Sequence, residues 1–232
     1  MFNSLFIQPL FNLLVFLYQS VTFNDLGLAI IILTIIIRLI LLPLFYKGFR
    51  SQAILQKIQP EIQKIQNDHR HNREEQARAM LALYQQHRVN PFSGFLLILV
   101  QLPVLIALYQ VFLKGLSSEA FKNLYSFIPQ PTSIDTLFLG LIDLAKPSII
   151  ILVLAALAQY VQGRLSLPPT VGADNSQNPA VRVAKQMVYI GPILTIVVLY
   201  SLPSAIGIYW LATTIFSIAQ QIYINKKVYG TN

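Results

Sequence analysis

Five stretches of this chain are long and apolar enough to cross a lipid bilayer. They lie near 25–45, 93–113, 147–165, 186–202 and 205–223. A crossing takes about 20 mostly apolar residues. In hydrocarbon the backbone must satisfy its own hydrogen bonds, so such stretches fold as helices. Composition agrees: 55% of residues are hydrophobic and 11% are charged, where a soluble domain carries roughly 25% charged residues. The chain has no cysteine, which excludes a disulfide framework, a thiolate metal site, a cysteine nucleophile and a lipidated cysteine anchor.

The charges then orient the spans. Residues 46–90 hold eight of the 17 basic residues, residues 164–185 hold Arg164, Arg182 and Lys185, and the C-terminus holds Lys226 and Lys227. These regions alternate around five spans. The other side holds Lys114, Lys122 and Lys146. The positive-inside rule places the N-terminus outside and the C-terminus in the cytoplasm. Residues 1–22 contain no Lys or Arg, hence no basic n-region of a signal peptide. The expectation is direct entry into a bacterial plasma membrane.

The expected fold class is an all-α integral membrane protein: a five-helix transmembrane bundle with a cytoplasmic helical hairpin and an N-terminal interfacial amphipathic helix. In chain order the segments are an external interfacial helix over 1–22, span 1 over 23–45, the hairpin over 46–90 and span 2 over 91–115. An external loop over 116–146, span 3 over 147–165 and a cytoplasmic loop over 166–183 follow. Span 4 over 184–202, span 5 over 205–223 and a short tail over 224–232 complete the chain. Ser4, Gln8, Asn12 and Gln19 recur at helical spacing in the first segment, and Pro9 interrupts it. A sixth span is the alternative. In the hairpin, Ile54, Ile58, Ile62 and Ile65 form one stripe and Ala77, Met80, Leu81 and Tyr84 another, with Pro60 bending the first arm. Only "PSA" joins spans 4 and 5, which predicts a tight helical hairpin.

Arg38 stands inside "TIIIRLILLPL". Its guanidinium keeps its proton there. Leu39 to Phe45 separate it from the first cytoplasmic polar residues, about 10 Å at helical rise, which is beyond comfortable snorkelling. None of the nine acidic residues lies inside a span. Facing lipid costs about 2.5–3.5 kcal/mol on insertion scales. The expected solution is a hydrated cavity open to the cytoplasm. Thr34, one turn earlier on the same face, and Gln101 are candidate lining groups, as are Gln159, Thr195, Thr213, Thr214, Ser217 and Gln220. Such a pocket suits an anionic solute, an ion, or a polar segment of another polypeptide entering the membrane.

No enzyme motif competes. His69, His71 and His87 lie in the hairpin without a ligand set for a metal. GxSxG, HExxH and a phosphate-binding glycine loop are absent. Neither a cofactor nor a metal is expected. Acidic residues interleave the basic ones in 46–90, which argues against a nucleic-acid patch.

In "FIQPLFNLL", "LAIIILTIIIRLILLPL", "QPEIQKIQ", "MLALYQQHRVNPFSG", "LVQLPVLIALYQVF" and "LPSAIGIYWLATTIFSIAQQIYINKK" the chain resembles the YidC/Oxa/Alb family of membrane-protein insertases, the bacterial core type in particular. The motifs stand in the family's order and cover nearly the whole chain. The resemblance implies a non-enzymatic insertase and chaperone for nascent membrane proteins. The family arginine, here Arg38, draws the polar external part of a substrate into a groove open to cytoplasm and lipid and closed outside. The apolar segment then leaves along the second and fourth spans. Thr34, Gln101, Tyr209 and Trp210 are the further expected substrate contacts. The lipid bilayer, the Sec translocon and the ribosome are the other implied partners. Leu97 stands where the family usually has Pro, and Thr214 where it usually has Asn. The short tail weakens the case for ribosome tethering. A transporter using the same pocket, or a scaffold within a translocation complex, are the competing readings.

Overall fold

The computed structural model describes residues 2–113, 121–122, 124–167 and 179–230. Most of the expected 166–183 loop, residues 116–120 and 123 of the external loop, and residues 114–115 at the end of expected span 2 lie outside the described residues. The rest is mostly helical.

A π-helical turn, Asn3–Ile7, runs into α1, Gln8–Ser20. Pro9 does not interrupt the helical run; it stands where the π-helical turn passes into α1. Phe11, Leu14, Val15 and Tyr18 are buried against the next helix and α6, defined below. Asn12 departs from the expected polar face. It is 1% exposed, and its Oδ1 accepts a hydrogen bond from the Tyr125 N–H at 2.6 Å. The Tyr18 hydroxyl likewise accepts from the Asp135 N–H at 2.8 Å. The first helix therefore carries the 121–146 segment on its polar groups.

Helix α2, Leu26–Ile40, starts at Asp25, whose carboxylate accepts from the Leu28 N–H at 2.8 Å. The uninterrupted helix expected over 25–45 is not found. It breaks at Leu41, and α3, Leu42–Lys57, leaves at 71°. Pro43 lies in the first turn of α3, where proline is tolerated and where it also disfavours helical backbone at the residue before it. Leu42 to Phe45 therefore turn aside instead of extending the span.

Helices α4, Gln59–Asp68, and α5, Arg73–Gln86, pack against each other. Pro60 occupies the first turn of α4, next to the break at Ile58. The α5 stripe is rotated from the expected one. Leu83, not Leu81, is buried with Ile58 and Ile62, beside Met80 and Tyr84. Leu81 is 60% exposed.

Helix α6, Ser93–Leu113, is followed by two short antiparallel strands, β1 Leu137–Phe138 and β2 Ile142–Asp143, in the segment expected to be a plain loop. Leu139 and Gly140 both take positive φ in the turn. The Leu139 N–H donates to the second Asp25 oxygen at 2.7 Å. Phe138 packs against Gly27 of α2, where a Cβ would clash with the ring. Thr136 donates to the Asp143 carboxylate, with Lys146 and the Ala145 N–H beside it, and these hold its pKa below the ordinary carboxylate value.

Three helices complete the fold: α7 Ile149–Leu165, α8 Pro179–Leu199 and α9 Ser204–Tyr229. The tight α8–α9 hairpin expected from the short connection does not form. Helix α8 packs along α7, which packs along α9, while α8 and α9 meet only near their connection. Gly163 lets α7 approach the Val188 backbone of α8, with only 3.2 Å left for a Cβ. Helices α6 and α9 each meet the length and apolarity of a span; α2 with α3 does so as a bent pair, and α7 and Val188–Leu199 are shorter apolar helices.

Candidate functional site

Arg38 occupies the junction of α2, α3, α6 and α9. It is 4% exposed. Its guanidinium lies over the Phe45 ring, 4.1 Å from the centroid. On a straight helix these residues, seven apart, would share a face about 10 Å apart. The break at Leu41 brings them into contact. A cation over an aromatic face gains roughly 0.5–2 kcal/mol. That does not replace the hydration of a buried charge, which costs several kcal/mol to remove. Among the described residues no acid pairs with Arg38, and Nη1 is buried without a hydrogen-bond partner.

Polar groups of α6 and α9 meet beside it. Tyr209, 2% exposed, interacts electrostatically with Arg38. The Gln101 Nε2 donates to the Tyr209 hydroxyl. The Thr213 hydroxyl, one turn beyond Tyr209, lies at the Tyr209 hydroxyl, and the carboxamide oxygens of Gln220 and Gln221, two turns further, are buried without partners. Buried unpartnered polar atoms of this kind are rare in folded proteins, and here they fall on the helix that bears Tyr209.

The structure thus brings Arg38, Gln101 and Tyr209 together and leaves two other predicted residues apart. Thr34 is 1% exposed on the Arg38 side of α2, but its hydroxyl donates to the Ile30 carbonyl of its own helix at 2.7 Å. Trp210, the next residue on α9, packs instead with Ala155, Leu199 and Ile206. Thr195, Thr214 and Ser217 also bond carbonyls one turn back. Sequence reasoning missed Phe45; the available signal was Pro43. It also missed Gln221, 0% exposed, which donates to Asn225, which in turn donates to the Leu165 carbonyl of α7.

Among the described residues Arg38 is shut off from solvent at 4% exposure, with an apolar cluster on either side. On the side of Leu26, the residues Leu14, Ile30, Leu33, Ala107 and Leu108 form a core at 0–1% exposure drawn from three helices. On the other side lie Phe45, Phe49, Ala53, Leu97 and Ile224. The two closures differ in construction. The first is built from interlocked helices. The second depends on aromatic side chains of α3, a helix joined to α2 by a break, with Leu97 of α6 resting on Gly48.

The profile of the 60Kd inner membrane protein family matches residues 16–231. The chain is 35% identical over 204 residues to the membrane protein insertase YidC of Fusobacterium nucleatum, covering 88% of each. It is 36% identical over 202 residues to that of Clostridium tetani, covering 86% of this chain and 81% of the relative. The membrane protein insertase YidC of Rickettsia bellii is 33% identical over 228 residues, but the match spans only 38% of that longer protein. Among solved structures, an active YidC insertase with its first transmembrane domain resolved aligns with a TM-score of 0.59 at 26% identity, covering 94% of this chain and 45% of that one.

Proposed function

The chain belongs to the 60Kd inner membrane protein family, and from that premise we propose that it is a membrane-protein insertase and chaperone that works without a chemical step. The observation that carries this reading is Arg38: a buried, permanently charged guanidinium with no acidic partner among the described residues and an unpartnered Nη1. A charge left in this state is a receptor for a polar guest. The guest is the external, preferably acidic, part of an incoming membrane protein. Arg38 attracts it, and Gln101 and Tyr209 offer it hydrogen bonds in place of water. Thr34 and Trp210 are secondary contacts in this reading, reached only after the bundle parts.

Helices α2, α6, α7, α8 and α9 are the five spans, with α1 at the outer interface and α4–α5 in the cytoplasm of a bacterium. Entry is from the cytoplasmic side, through the Phe45–Phe49–Leu97 closure. The apolar part of the guest leaves into lipid along α6 and α8. The exposed apolar side chains of these helices, Leu96 and Leu99 on α6 and Ile193 and Val197 on α8, suit that path. The Sec translocon and the ribosome are further partners in this reading.

The test is insertion by the full chain reconstituted in vesicles, with a single-span substrate bearing an acidic external tail. Arg38→Ala is expected to reduce insertion about tenfold, the equivalent of a 1.4 kcal/mol interaction. Arg38→Lys is expected to retain part of the activity. Full activity of Arg38→Ala would remove the receptor role.

A further inference from the structure

A second basic site lies where the hairpin meets the bundle. A cavity of about 660 Å³ opens between α3, the end of α5 and the start of α6. Lys47, Arg50 and Arg88 line it, and no acidic residue does. Ser93 also lines it; the residue is 6% exposed, and its hydroxyl is buried without a partner. On the bundle side the wall becomes apolar through Leu44 and Leu96.

Arg88 carries an independent sign of function. It holds φ at +51°, in the left-handed region. It ends α5 there: the Val89 N–H bonds the Tyr84 carbonyl at 3.0 Å and the Arg88 N–H bonds the Gln85 carbonyl at 3.1 Å. Glycine is the usual residue at this position of a helix end. A long cation in its place is strained, and strain of this kind concentrates at binding sites. The α6 N-terminus opens beside the cavity and adds the positive end of a 21-residue helix.

We propose that this cavity binds the phosphate of an anionic membrane phospholipid, with Lys47, Arg50 and Arg88 around the phosphate, the Ser93 hydroxyl donating to it, and the acyl chains descending past Leu44 and Leu96. The shared chemistry with free phosphate is the anion. The apolar wall selects the lipid, because a soluble anion leaves Leu44 and Leu96 in water. The depth assigned to the site rests on the proposed orientation, in which it stands at the cytoplasmic headgroup level. A lipid bound there joins α3, α5 and α6, the elements that move relative to one another if the cytoplasmic closure opens.

The test is calorimetric titration of the full chain in non-ionic detergent with dihexanoyl phosphatidylglycerol, dihexanoyl phosphatidylcholine or inorganic phosphate. It does not depend on insertion activity, so its failure is distinct from failure of the proposed function. The glycerol lipid is expected to bind at least about tenfold tighter than the choline lipid or inorganic phosphate. Arg88→Gly is expected to weaken it roughly fivefold, the scale of one cation at an anionic membrane surface, while the unfolding temperature without lipid holds or rises because glycine fits the left-handed backbone. Ser93→Ala is expected to weaken binding as well, and Lys64→Gln, on the hairpin outside the cavity, to leave it unchanged. Equal binding of the two lipids, or unchanged binding by Arg88→Gly, would overturn the site. Inorganic phosphate binding as tightly as the glycerol lipid would overturn the lipid assignment in favour of a soluble anion.

Discussion

At the scale of single residues, the Arg38 pocket is a set of polar groups that complete one another only in part. Gln101 and Tyr209 form its satisfied half. Gln101→Leu leaves the buried Tyr209 hydroxyl without its donor, and is expected to cost about 1–3 kcal/mol of stability, read as a lower thermal unfolding midpoint in detergent. The double variant Gln101→Leu with Tyr209→Phe is expected to recover most of that loss, since both polar groups are then gone. Phe45→Leu keeps the apolar closure and removes the ring face under the guanidinium. It is expected to destabilise the closed arrangement by about 0.5–2 kcal/mol and to make the pocket easier to hydrate. Arg38, Gln101 and Tyr209 were visible in the sequence, as a lone intramembrane cation and as motif residues. Their convergence was not, because it depends on how α6 and α9 rotate against α2. The other hydroxyls told the same story in reverse: Thr34, Thr195, Thr214 and Ser217 are polar in composition, yet each gives its proton to its own helix, an outcome the sequence does not separate from groove lining.

At the scale of elements, helix identity was legible and helix ends were not. The apolar runs located α2, α6, α7, α8 and α9. The stop at Leu41 was hidden because Leu39 to Phe45 are uniformly apolar, and only Pro43 marked the bend. Helix packing order also escaped the sequence. A short link between α8 and α9 suggested a hairpin, but Gly163 gives α7 the closer fit to α8. The β1–β2 turn was concealed in a stretch with little alternation, and it is fixed from outside by Asp25 and Gly27. Gly27→Leu is expected to displace Phe138 and lower stability by about 1–3 kcal/mol, the usual cost of overpacking; adding Phe138→Ala should relieve much of it, as measured by thermal unfolding. The Asp143 contacts carry a pH signature. Its depressed carboxyl contributes stability that is complete above the ordinary carboxylate pKa and is lost as pH falls through the lower folded value. Proteolysis within the 121–146 segment is expected to accelerate on that acid side, and Asp143→Asn should remove the pH dependence.

At the scale of the whole molecule, the two closures around Arg38 give the protein a direction. The outer one joins α1, α2, α6 and α9 through side chains with almost no exposure. The inner one relies on α3, which is bent away from α2, meets Leu97 of α6 at Gly48 and packs on Ile224 of α9. Opening the inner closure parts α3 from α6 and α9 across a small cluster; opening the outer one parts α1, α2, α6 and α9 across the largest buried core. In the proposed function Arg38 communicates with the cytoplasm alone. Thr34 is the place to ask, since it lies one turn from Arg38, and the chain has no native cysteine to interfere. A Thr34→Cys chain in oriented vesicles should react with a membrane-impermeant maleimide added on the cytoplasmic side, faster while substrate is being inserted, and should resist the same reagent added outside. Reaction from the outer side, or complete protection from both sides during active insertion, would contradict it.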